Sequence, residues 1–248
     1  MNLAIFDVDG TLTATNDVDS ECFVQAISDV LGIRQFDTDW SHYEHSTDPG
    51  ILNQVFADHF GSLPDDARLC AVREQFIELL RDRMQTAPER YDEVPGAASA
   101  LYRLRNELGW ATAIASGAWR SSARIKLQSA GISPEGCPSV FADDSISREG
   151  IIQIAMTRAL LRYRQTSFAR IVSIGDAVWD VRAARNLGLP FVGIGDGVRR
   201  NRLLEEGASH VISSFVDFDG LLTCLDEATV PNQGPSLESV GRPIQPAP

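Results

Sequence analysis

Two carboxylates one residue apart, Asp7 and Asp9, follow the apolar run 3–6 and are succeeded by Gly10 and Thr11. Such a run has the length of a buried strand, and Gly10 allows a sharp turn where the strand ends. Asp-Gly alone is ordinary turn chemistry. Two acids this close repel, however, and both stay ionised cheaply only beside a counter-charge. A divalent cation supplies one. Magnesium prefers oxygen ligands, keeps several waters and binds one or two carboxylates together with a substrate phosphate.

Three further stations carry residues fit for the same chemistry. Ser116-Gly117 offers a hydroxyl and backbone N–H groups ahead of a helix, where the dipole favours an anion. Ser147-Arg148-Glu149-Gly150 places a guanidinium before another helix, and arginine can hold phosphate in a bidentate way. Asp176 and Asp180 share a face if their segment is helical; a capped helix start is the alternative reading of this pair. Lys126, the single lysine of the chain, sits inside a helical stretch, where a surface role is expected. Asp143-Asp144, His42 and His45 carry no assignment, and Gly193-x-Gly195-x-Gly197 reads as a turn rather than a dinucleotide loop.

The elements that must position these stations follow from periodicity. Helical spacing runs through Cys22–Leu31, Ile51–Phe60 and Leu69–Met84, stopped by Gly32, Gly61 and Pro88. No period-two strand interrupts 15–90, so this is a helical insertion. From Val94-Pro95-Gly96 the chain alternates: helix 97–108, strand 110–115, helix 121–130, strand 139–142, helix 151–163, strand 170–175, helix 178–187, strand 190–194, a short helix 201–206 and an edge strand 210–212. Alternation predicts an α/β fold, a Rossmann-like parallel sheet with helices on both faces. Ligands of such sheets bind beyond the carboxyl ends of the strands, where Asp7, Ser116, Asp143 and Asp176 all fall. The predicted division is an α/β core of residues 1–14 and 94–228, a helical segment 15–93, and a disordered tail 229–248 holding five prolines.

Composition narrows the partners. The 248 residues carry a net charge of −12, which disfavours nucleic acid and anionic membrane surfaces. A phosphate substrate needs only local positive charge. The four cysteines are far apart and form no C-x-x-C pair, so reduced thiols and a cytoplasmic location are expected. No apolar run approaches the roughly 20 residues of a membrane helix. Oligomeric state is not legible.

Asp7-Val8-Asp9-Gly10-Thr11 resembles the first motif of the haloacid dehalogenase-like (HAD) superfamily, and Gly175-Asp176-x-x-x-Asp180 resembles its fourth. An insertion just after the first motif is similar to the helical cap of the phosphoglycolate phosphatase and beta-phosphoglucomutase branch. The resemblance spans about residues 1–228 and implies a Mg2+-dependent phosphatase acting on a small phosphorylated metabolite. Asp7 would be the nucleophile that becomes an aspartyl-phosphate, and Asp9 the acid/base. Ser116, Gly117 and Arg148 would hold the phosphate, with Arg148 departing from the family's usual lysine. Asp7, the Asp9 carbonyl and Asp176 would bind the metal, and Asp180 would act through water or a hydrogen bond. Asp9 argues against dehalogenation, since dehalogenases lack that acid. The family's phosphonate hydrolysis uses a cap lysine as a Schiff base, and 15–93 contains no lysine. A phosphomutase, a phospho-acceptor or an inactive relative remain as alternatives.

Overall fold

The computed structural model describes residues 1–232. Among the described residues six parallel strands form one sheet: β1 (Leu3–Phe6), β2 (Ala111–Ala115), β3 (Ser139–Val140), β4 (Ile171–Gly175), β5 (Phe191–Ile194) and β6 (His210–Ile212), in the order β3-β2-β1-β4-β5-β6. β1 lies at the centre, and Ile5 is flanked by Ala113 on one side and Ser173 on the other. The chain moves outward from β1 through β2 to β3, then returns to the opposite side of β1 as β4. The carboxyl ends of β1 and β4 therefore frame the crevice where connections diverge, the place such sheets offer to ligands.

Both faces of the sheet are covered, so strand residues are buried on each. Ala4 and Phe6 pack with α4 (Ala97–Asn106), α5 (Arg120–Ser129) and α9 (Phe218–Glu227). Leu3 and Ile5 face the other way, toward α6 (Arg148–Tyr163), α7 (Val178–Asn186) and α8 (Gly197–Glu205). Alternate side chains of one strand thus feed two cores, which is why β1 reads as a continuous apolar run.

Between β1 and α4 stand α1 (Asn16–Leu31), α2 (Asp48–Phe60) and α3 (Asp66–Thr86), with a third apolar cluster of their own. The glycine stops hold: Gly32 and Gly61 are left-handed caps at φ 72° each. Thr47 caps α2 by accepting from Gly50 N at 3.2 Å. Trp119, just before α5, joins this third cluster and meets Phe23 edge-on at 5.9 Å.

Several boundaries differ from the sequence expectation. α6 begins at Arg148 rather than 151, because Ser147 caps it by accepting from Gly150 N at 3.1 Å. α8 begins at Gly197 rather than 201. β3 keeps two residues, since Phe141 N and Ala142 N turn to Asp144 Oδ2 and Ala118 O. α9 was not anticipated, although Phe218, Leu221 and Leu225 lie buried at helical spacing behind the Asp217 cap. The predicted tail falls mostly on residues 233–248, outside the described residues; before them, Thr229 O accepts from Phe191 N at 3.2 Å and Asn232 N donates to Gly207 O at 3.3 Å. Among the described residues no helix is long and apolar enough to cross a membrane.

Candidate active site

β1 ends by hydrogen-bonding Asp7 N to Ile174 O of β4 at 3.0 Å, which sets Asp7 at the crevice beside Asp176. Gly10 then turns at φ +71°, and a Cβ there would lie 2.0 Å from Asp176 Oδ2. Glycine is required twice over at this position, by its backbone angle and by the approach of an acid. After β4, Asp180 sits in the first turn of α7 and accepts from Ala177 N at 3.2 Å, a helix-start bond that aims its carboxylate back at the crevice.

One carboxylate oxygen from each of Asp7, Asp176 and Asp180 lies within 4.8 Å of the others, and all three side chains are buried. Burial raises the pKa of each. Asp7 is raised by burial against the pull of Arg148. Asp176 is pushed up to about 7, burial prevailing over Arg199. Asp180 is raised well above the usual carboxylate range by burial, which outweighs Arg148. Three buried acids that resist joint ionisation, offering oxygen alone, form a donor set suited to a hard divalent cation. The Asp9 carboxylate is not part of this trio and accepts from Thr15 Oγ1 and Lys126 Nζ instead.

Arg148, at the start of α6, reaches the centre. Its Nη1 lies 3.2 Å from Asp7 Oδ1 and 3.3 Å from Asp180 Oδ1, while Nε donates to Ser46 O at 2.9 Å. Its guanidinium lies 5.9 Å from the Trp179 ring centroid. Ser116 is buried beyond β2, where its Oγ accepts from Ala118 N at 3.2 Å and lies beside the Asp7 carboxylate. A Cβ on Gly117 would come within 2.7 Å of Arg148 Cζ and 2.8 Å of Ser46 O. The structure therefore brings Asp7, Asp9, Ser116, Gly117, Arg148 and Asp176 to one cleft of about 430 Å³, with Asp180 behind it.

The helical insertion closes one side of this cleft. Asp48 N donates to Gly117 O at 2.9 Å, and Asp48 Oδ2 accepts from Trp119 N at 2.8 Å. Thr47 Oγ1 donates to Ile146 O at 2.8 Å. Residues 46–48 thus bind both loops that carry Gly117 and Arg148. In the sequence, Thr47-Asp48-Pro49 carries only the signal of a helix start. The spacing of a cap residue carries no sign that its side also faces a second element.

Lys126 corrects the surface expectation. It is fully buried, with Nζ 2.6 Å from Asp9 Oδ2 and 2.5 Å from Asp19 Oδ1. Burial alone would lower its pKa, but Asp19, Asp9 and Asp48 more than reverse that and hold the amine protonated. Asp19 is itself pushed up to about 6 and Asp48 to about 8, in both cases chiefly by burial. On its other oxygen Asp9 accepts from Thr15 Oγ1 at 2.6 Å. Two residues escaped sequence reasoning at the far wall: Asn16 Nδ2 donates to Asp176 Oδ2 at 2.7 Å, and Arg199 Nη1 lies 3.2 Å from the same oxygen. Asp143 Oδ2 accepts from Arg120 N at 2.6 Å, and Asp144 pairs with Arg120 and Arg158, so both serve helix packing. His42 pairs with Asp37 on the surface, and neither it nor His45 lines the cleft.

Residues 1–188 match the sequence profile described as haloacid dehalogenase-like hydrolase. A phosphonoacetaldehyde hydrolase of Bordetella avium (strain 197N) is 28% identical over 156 residues, 62% of this chain and 54% of that protein. The match thus spans about half the length of that curated relative. Among solved structures, a hydrolase from Pseudomonas syringae aligns with TM-score 0.69 at 22% identity over 92% of this chain and 100% of that one. CbbY from Rhodobacter sphaeroides, solved in complex with phosphate, aligns with TM-score 0.65 at 20% identity over 90% and 98%. At these identities the structural likeness speaks for the fold.

Proposed function

The chain belongs to the haloacid dehalogenase-like hydrolase family, and we propose that it is a Mg2+-dependent phosphatase that hydrolyses a small phosphorylated metabolite through an aspartyl-phosphate. The observation that carries this reading is the convergence of Asp7, Arg148 and the Asp176–Asp180 pair beneath one set of cap residues. Asp7, Asp176 and Asp180, with the Asp9 carbonyl, would hold the metal. Bound there, Mg2+ neutralises phosphoryl charge and relieves the repulsion among the acids.

The chain's own groups then divide the work. Asp7 attacks phosphorus, and Arg148 keeps its carboxylate oriented, with Ser116 beside it. Arg148 also offsets negative charge on the transferring group, in a site with little water to screen it. Asp9 protonates the leaving oxygen and later takes a proton from the attacking water. Helices α1–α3 act as the cap: residues 46–48 close over the Gly117 and Arg148 loops and exclude water.

The similarity to a phosphonoacetaldehyde hydrolase raises a second chemistry, cleavage of a P–C bond. Schiff-base chemistry needs a neutral amine at the cleft. Lys126 is the chain's sole lysine, is fully buried and is clamped between two carboxylates. That observation favours ester hydrolysis.

Phosphate release from a panel of phosphorylated metabolites, with Mg2+ and with chelator, tests the reading. Metal-dependent release from one class, abolished in a folded Asp7→Asn variant, is the expected result. Absence of release from every member, or retained activity in the variant, overturns it.

A further inference from the structure

We propose that Lys126 is a positioning residue for the proton-transferring carboxylate: it holds Oδ2 of Asp9 in place and leaves Oδ1 as the oxygen that exchanges a proton with the substrate. This inference rests on the role of Asp9 given above.

Lys126 does not itself line the cleft; it reaches it through Asp9 and Asp19, both of which do. An ammonium has three donors, and two of them are committed, at 2.6 Å to Asp9 Oδ2 and at 2.5 Å to Asp19 Oδ1. The two carboxylates approach from different elements, one from the turn after β1 and the other from α1 of the cap. Asp19 therefore anchors Nζ, so the ammonium cannot follow Asp9 if that side chain swings. The stem leaves the inner face of α5, between buried Ala123 and Leu127, with no access to solvent. A charged side chain is seldom buried without such pairing.

The two oxygens of Asp9 have unequal partners. Oδ2 takes a charge-assisted bond from a fixed ammonium, and such bonds are the stronger class. Oδ1 accepts from Thr15 Oγ1 at 2.6 Å, a neutral hydroxyl that also bonds Thr13 Oγ1 at 2.7 Å. A hydroxyl can rotate away and keep its other partner; the clamped ammonium cannot. Substrate entry thus exchanges the Thr15 bond and not the Lys126 bond. In the first step the proton on Oδ1 passes to the leaving oxygen as the P–O bond breaks and the Asp7–phosphorus bond forms. In the second, water attacks phosphorus, its proton goes to Oδ1, and the Asp7–phosphate bond breaks.

The test compares kcat/KM for an alkyl phosphate and for 4-nitrophenyl phosphate. An alkoxide needs a proton as it leaves; nitrophenolate does not. Lys126→Met should lower kcat/KM for the alkyl ester by about 100-fold, the scale of lost general-acid catalysis, with the aryl ester changed only a few-fold. The double variant Lys126→Met/Asp19→Asn removes both members of the buried pair and should fold where the single variant does not, with the same selective loss. In an Asp9→Asn background, Lys126→Met should not change the ratio further. An equal fall for both esters, or none, marks Lys126 as merely structural and overturns the proposal. So does a crystal structure of the double variant with the Asp9 carboxylate unmoved. Turnover of neither ester by the wild-type chain overturns the phosphatase reading itself, and the proposal with it.

Discussion

Arg148 stands between two acids: its Nη1 lies 3.2 Å from Asp7 Oδ1 and 3.3 Å from Asp180 Oδ1. One largely buried cation thus serves the residue read as nucleophile and a second member of the acid cluster, while its Nε is tied to Ser46 O of the helical insertion. Arg148→Ala leaves two buried carboxylates without that partner. It should lower kcat/KM by about 100- to 1,000-fold, the scale of losing one preorganised electrostatic group. Arg148→Lys should restore only part, because a single ammonium cannot reproduce the planar fork that spans Asp7, Asp180 and Ser46. Activity within a few-fold of wild type in the alanine variant would remove Arg148 from the phosphate site.

Gly117 is held to glycine by contact rather than by its backbone angle. An added Cβ would lie 2.7 Å from the Arg148 guanidinium. Gly117→Ala should lower activity at least tenfold by displacing Arg148, and lower stability by about 1–3 kcal/mol, as overpacking does. Steady-state kinetics and denaturant unfolding of the variant check both. An unchanged enzyme would show that the Ser46–Arg148 contact gives way freely.

Metal binding should be visible without turnover. A ligand that binds only the folded state raises the unfolding temperature by mass action. Mg2+ should therefore stabilise the wild-type protein in a thermal melt, and Asp176→Ala should lose that shift. In chelator, Asp176→Asn should unfold at a higher temperature than the wild type, because one of three mutually repelling buried acids is neutralised. A Mg2+ shift that survives in Asp176→Ala would place the ion elsewhere.

Asp48 gives a pH signature away from the Asp7, Asp176 and Asp180 cluster. Burial pushes its pKa to about 8 from an unfolded value near 3.8. Between those values the folded state keeps a proton that the unfolded state has released, so this group's contribution to stability is full below the unfolded pKa and falls as pH rises, levelling off above about 8. The slope is at most about 1.4 kcal/mol per pH unit for one proton. Asp48→Asn keeps an acceptor for Trp119 N and removes the titration. It should gain stability relative to wild type between pH 5 and pH 8, measured by urea unfolding at each pH. A pH-independent difference would mean that Asp48 is already ionised in the folded protein.

The absence of a usable amine also makes a chemical prediction. With phosphonoacetaldehyde and sodium borohydride, no covalent adduct should form on Lys126, which is buried and bonded to Asp9 and Asp19. Mass spectrometry of the treated protein decides this, and a reduced adduct at Lys126 would revive the P–C cleavage route.

Local chemistry made much of this protein readable. The apolar run Leu3–Phe6 predicts a buried strand, and the alternation after Val94 predicts the parallel sheet. The rule that ligands sit beyond strand ends brings Asp7, Ser116 and Asp176 together without any long-range information. Glycine stops at Gly32 and Gly61 set the helix ends, because only a residue free of Cβ strain takes those angles easily.

Tertiary structure alone decided what depends on side chains meeting across distant elements. Lys126 and Asp19 are separated by 107 positions yet share a hydrogen bond. On its helix Lys126 looks like any polar residue, and only the arrival of Asp9 and Asp19 from distant elements gives its amine partners inside the fold. The same holds for residues 46–48, whose hydrogen bonds run to Gly117, Trp119, Ile146 and Arg148. Periodicity records which face of an element is apolar. It does not record which polar group will stand opposite once two faces are brought together, and in this cleft that pairing sets the charge around Asp7 and Asp9.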